Sequence, residues 1–84
     1  MPNATGPDGY IRSEKEEARI NVLVASILGT TAGTELMDYL NSITTKRVYG
    51  PEVTDQALRH MEGQRFVVAV LAQRIVLGHK EKAK

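Results

Sequence analysis

Apolar residues recur at three- and four-residue steps in three separate stretches of this chain, and that spacing predicts three helices. In the first, Ile20, Leu23, Val24, Ile27 and Leu28 fall on one helical face. Ser13 followed by Glu16 makes a capping box at its start, the serine oxygen accepting from an early backbone N–H while the glutamate reaches back. Glu14, Glu16 and Glu17 set negative charge at the positive end of the helix dipole, and Gly29 is a natural stop. The second helix is shorter. Thr30 or Thr31 can cap it, Leu36, Met37, Leu40 and Ile43 form its apolar stripe, and Glu35, Asp38 and Asn41 point the other way.

Residues 44–51 read as a connecting loop that ends in Tyr49-Gly50-Pro51, and the bias of a residue before proline away from helix delays the third helix beyond it. Capped by Thr54 or Asp55, that helix should run over residues 54–77, on the order of 35 Å at about 1.5 Å per residue. One stripe on it comprises Ala57, Leu58, Met61, Val68, Leu71, Ala72 and Ile75. A second strip, Phe66, Val67, Val70 and Leu77, lies nearly opposite. A helix that is apolar all round must be buried all round, and two short helices can cover only one side well. The valine-rich segment 66–71 also suits a strand, although no other stretch offers it a partner.

The expected fold is therefore all-α, a small domain with two shorter helices packed on one long C-terminal helix. Residues 1–12, rich in Pro, Gly, Asn and Asp without an apolar period, read as a flexible N-terminal arm. Residues 13–78 form the helical domain, and 79–84 a charged, solvated tail. At 84 residues this is one domain, near the lower limit for a self-sufficient core. There are no cysteines for a disulfide or a thiolate metal site, and His60 and His79 lie far apart. Packing against a partner is the remaining supplement.

Formal net charge is +1, with both signs intermixed, which disfavours a dedicated nucleic-acid module. No apolar run approaches the roughly 20 residues of a membrane span, and the start of the chain lacks the pattern of a signal peptide.

Chemistry finds few footholds. Ser13 is taken as a cap, Ser26 and Ser42 sit on polar faces, and no Gly-Xaa-Ser-Xaa-Gly pattern occurs. Residues 29–33 (Gly-Thr-Thr-Ala-Gly) lack the lysine of a phosphate loop and read as a helix–helix turn. His60 and Glu62, two apart on a helix, do not face each other, whereas Glu62 and Arg65 can pair. Arg65 can either lay its stem on the core and reach solvent or donate as a fixed fork to backbone carbonyls or a partner carboxylate. Gly63 is either tolerated or admits a close backbone approach beside the second strip. No catalytic residue, cofactor site or metal site is expected, and the protein is read as not an enzyme. The expected protein interface is Gly63, Phe66, Val67, Val70, Arg74 and Leu77.

Two short signatures carry a resemblance. Thr30, Gly33, Leu36 and Leu40 precede, after a variable turn, Glu62, Gly63, Arg65 and Val67. Their order and spacing, over residues 27–75, resemble a family of very short helical proteins of tailed bacteriophages, first recognised in a Bordetella short-tailed phage and carrying no assigned activity. In that pattern the residue two before the Glu is usually aromatic; here it is His60. The resemblance implies a small virion-associated or assembly protein, located in the virion or in the cytoplasm of the infected bacterium. Its partner would be another phage structural protein or a second copy of itself, with no small-molecule substrate and no membrane. A phage regulator that binds and inhibits a host protein is the alternative, and a small helical DNA-binding protein the third reading, weakened by an acidic first helix and a second helix with no basic residue.

Overall fold

In the computed structural model, which describes residues 2–83, three helices carry most of the chain and a small two-stranded sheet precedes them. Strands β1 (Asn3–Thr5) and β2 (Ile11–Ser13) pair antiparallel, Asn3 opposite Ser13 and Thr5 opposite Ile11. Helices α1 (Glu14–Leu28), α2 (Thr31–Ile43) and α3 (Asp55–Lys82) follow.

Residues read as a structureless arm thus form a hairpin. Its turn is Pro7-Asp8-Gly9: Gly6 N–H donates to Tyr10 O at 2.9 Å, and Gly9 N–H donates to Gly6 O at 2.9 Å. Gly9 takes φ +86°, a left-handed conformation that glycine adopts without a Cβ penalty. A Pro-Asp-Gly run is turn chemistry with a mechanism, because proline presets φ and the Asp side chain caps the backbone; Asp8 Oδ1 accepts from Tyr10 N–H at 3.0 Å. An isolated two-stranded hairpin is marginal in water, so its docking on the helices matters.

The helix caps follow the sequence closely. Ser13 accepts from Glu16 N–H at 3.1 Å, Thr30 from Gly33 N–H at 3.0 Å and Thr54 from Ala57 N–H at 3.1 Å. The third helix runs five residues past Leu77, through most of the stretch read as a solvated tail. Its last turn holds His79, Lys80 and Lys82, cations suited to the negative end of the helix dipole. Segment 66–71 is helical throughout.

The first helix departs from the reading of its apolar stripe. The residues it buries are Glu17, Asn21 and Ala25, at i, i+4 and i+8, while Leu23 and Ile27 stay 49% and 62% exposed. The reason lies across the interface. A Cβ added at Gly78 would stand 2.8 Å from the Asn21 carbonyl carbon and closer still to its oxygen and to Ala25 Cβ. Only a face of small and polar residues admits so close a crossing, and bulky Leu and Ile turn outward. The second helix does the same, burying Gly33 and Met37 and exposing Leu36, Tyr39 and Ile43. It leaves α1 at 94°, and Gly33 has no room for a side chain because a Cβ would sit 2.5 Å from Leu28 Cα. The principal helix interface is α1 on α3, with α2 touching both more lightly; two short helices do not share the long one evenly.

The result is flat, 48 × 30 × 13 Å, with a radius of gyration of 15.1 Å against about 12 Å for a compact chain of this length. Its accessible surface, 6038 Å², exceeds by roughly 1,000 Å² the value that scaling gives a globular protein of its mass. The buried apolar residues are Ala25, Met37, Met61 and Val68, and the most enclosed large side chain is an arginine, Arg74.

Candidate functional site

Two features stand out: a buried ionic cluster and the apolar surface that the helices turn outward. The cluster begins with Arg74, 3% exposed, on the C-terminal half of α3. One of its terminal nitrogens donates to Glu17 Oε2 at 2.9 Å and to Asn21 Oδ1 at 2.8 Å, and the other to Asp8 Oδ2 at 3.1 Å. Arg12 on β2 reaches Glu17 Oε1 at 2.6 Å and Asp8 at 3.1 Å. Two guanidinium groups thus meet two carboxylates, so formal charge cancels inside the cluster. Every buried side-chain polar atom among the described residues finds a partner. Gly6 lies against the Glu17 carboxylate, where an added Cβ would stand 2.6 Å from Oε1.

Hydrogen bonds from Arg74, and then from Arg12, hold the Glu17 carboxyl below its ordinary range against the opposing effect of burial. Asp8 is lowered chiefly by the Tyr10 backbone N–H, with Arg74 and Arg12 adding to it. Both carboxyls are therefore fixed as acceptors, and neither is poised near neutrality for proton transfer. The cluster ties hairpin, α1 and α3 together.

Arg74 must accordingly leave the interface set: it is buried within the chain and spent on internal partners. The sequence placed it beside the outer strip because its helical position adjoins Leu77 and Val70. The signal for its true place was the polar spacing Glu17-Asn21, one turn apart on α1, together with the Asp8 of the turn.

The other expected interface residues divide. Phe66 and Val67 are 52% and 58% exposed, and an atom added at Gly63 would meet nothing within 4 Å. Val70 is half-buried, as is Leu77, which lines a groove of about 550 Å³ between the hairpin, the start of α1 and the end of α3. The open part of the strip therefore covers Gly63, Phe66 and Val67. It sits where α3 has little cover: over residues 55–66 only Met61 is buried, with Ala57 and Arg65 half-buried.

Of the eight signature residues, Thr30, Gly33, Leu40, Glu62 and Arg65 serve the fold, whereas Leu36, Gly63 and Val67 are exposed. Thr30 caps α2 and Gly33 permits the α1–α2 corner. Leu40 is half-buried and Leu36 exposed. Arg65 acts as a fork: Nε donates to Thr44 O at 3.3 Å, one terminal nitrogen to Arg47 O at 2.9 Å, and the other to Glu62 at 2.8 Å. Of the two readings open for Arg65, donation to backbone carbonyls is the one found. It fastens the end of α2 to α3, which otherwise meet at few points. His60 contacts Gln64 and not Glu62.

Among the described residues no group of three or more His, Cys, Asp or Glu is placed to hold a metal ion, and no single helix is long and apolar enough to cross a membrane. No family model matches the chain, and no match was found among curated proteins or solved structures.

Proposed function

We propose that the protein is a non-catalytic bacteriophage subunit, virion-associated or acting in assembly, that binds another phage structural protein through the outward face of α3. The observation that carries this reading is the open surface of Gly63, Phe66 and Val67 on a stretch of helix with little cover of its own. Burying Val or Phe is worth roughly 1.5–3 kcal/mol per side chain, so this strip is enough to anchor a contact. Gly63 lets a second backbone come close, which accounts for a helix-interior glycine that nothing inside the chain requires. The phage context rests on the two signatures and their order along the sequence. What supports their pairing is that both act at joints, one at the α1–α2 corner and the other at the α2–α3 loop.

Val67 is the cleanest probe, because it faces outward and Val70 is partly enclosed. Val67→Asp should keep the helical circular dichroism spectrum and lose capture of phage structural proteins from infected-cell extract. Retained capture, with the fold intact, would place the contact elsewhere.

A further inference from the structure

The strip on α3 does not account for the apolar residues that α1 and α2 turn outward. On α1 these are Leu23 and Ile27, with Ile20 half-buried in line with them; on α2 they are Leu36, Tyr39 and Ile43. Both trios step by three and then four residues, the spacing of a coiled-coil seam, and Ile-Leu-Ile on α1 is the order that favours two strands. Leu23 and Tyr39 lie nearly opposite the buried stripes of their helices and the other seam residues flank those stripes, which meet α3: Glu17 and Asn21 bond Arg74, and Met37 and Asn41 line a groove with Ala72 and Ile75. The exposed seam residues are therefore turned away from the faces that meet α3. Leu23, Ile27, Leu36, Tyr39 and Ile43 are between 42% and 62% exposed.

We infer that these two seams are a homodimer interface, in which a second copy of this chain covers the α1–α2 face. Area supports that occupant. The excess surface of roughly 1,000 Å², taken over the whole chain, is as large as the half-share of an obligate homodimer contact, which buries about 2,000 Å² or more in total. So does the missing core. Four buried apolar residues among those described are few for a free-standing domain, and a chain that needs a partner to complete itself is best served by one made wherever it is made. The interface would be isologous, each seam meeting the same surface of its copy across a two-fold axis. It does not depend on the α3 strip, which stays free on the other side of the subunit for a different protein.

Sedimentation equilibrium on the full chain tests this. The expected species is twice the 9.3 kDa chain mass. Leu23→Glu combined with Ile27→Glu should weaken the dimer by roughly 100-fold or more, because a charge would be left among apolar side chains, whereas Val67→Asp should leave it intact. Should the double variant unfold, the cysteine-free background permits single substitutions to Cys at Leu23, Ile27, Leu36 and Tyr39. Oxidation should link at least one of these to its own copy, and a Gln56→Cys control on exposed α3 should stay unlinked. A monomer at all concentrations, a dimer lost on Val67→Asp alone, or linkage at Gln56 without linkage along the seams would overturn the inference.

Discussion

Two glycines of α3 should respond in opposite directions to the same substitution. Alanine is favoured over glycine in a helix interior by about 0.8–1.0 kcal/mol, wherever nothing opposes the new methyl. At Gly63 nothing does, since no atom lies within 4 Å of the position a Cβ would take. Gly63→Ala should therefore stabilise the chain by close to that amount, raising Tm by about 4–8 °C for a domain of this size. At Gly78 the methyl would stand 2.8 Å from the Asn21 carbonyl carbon, with the oxygen and Ala25 Cβ nearer. Carbon atoms settle at about 3.5–4.0 Å, so α1 and α3 must part by roughly 1 Å. Overpacking of this kind costs about 1–3 kcal/mol. The same movement lengthens the Arg74 bonds to Glu17 and Asn21, now 2.9 and 2.8 Å. Net of the propensity gain, Gly78→Ala should thus lower stability by up to about 2 kcal/mol, with no stabilisation. Thermal melts by circular dichroism at one fixed protein concentration decide the matter. Equal stabilisation by both substitutions would refute the close crossing of α1 over α3 at Gly78.

Glu17→Gln removes one carboxylate from the enclosed cluster and should cost near the lower end of roughly 3–5 kcal/mol, because Asp8 still faces Arg74; chemical denaturation measures it. Acid should act on the same groups. Glu17 and Asp8 are lowered from 4.5 and 3.8, so the stability they supply is complete above those values and is lost as pH falls through their lower folded ones. Melting temperature against pH should fall in that acid range, and less steeply in Glu17→Gln. Arg65→Lys keeps the charge but not the fork, and should loosen the α2–α3 loop, seen as faster amide hydrogen exchange over residues 44–47 with a loss of about 1 kcal/mol.

Much of the helical framework was legible in the sequence because caps are local. Ser13, Thr30 and Thr54 declare themselves through residues two or three positions away, and the structure uses all three. The hairpin is not read from the sequence: Pro7-Asp8-Gly9 carries its turn signal, but strands of three residues are too short to show an alternating pattern, so residues 1–12 read as an arm. The facing of α1 was not legible either. Its apolar periodicity marks a side that wants burial, and in a chain this small that side need not be the one its own helices cover. What decides the inner face is the pairing of Gly78 with Asn21 and Ala25 and of Arg74 with Glu17, contacts more than fifty residues apart. The end of α3 was misjudged for a related reason: the apolar pattern stops at Leu77, yet the helix continues because its cations suit its terminus and Glu81 packs half-buried.

The proposed contact joins the outward face of α3 to another protein of a phage particle or its assembly intermediate. Cross-linking mass spectrometry on purified particles, with a photoreactive residue in place of Phe66, tests it most directly. Peptides of this chain should appear at a fixed copy number, joined from position 66 to one other structural protein, with the joint lost when Val67→Asp is added. Particles and assembly intermediates free of the chain, or cross-links from position 66 to many unrelated proteins, would contradict it.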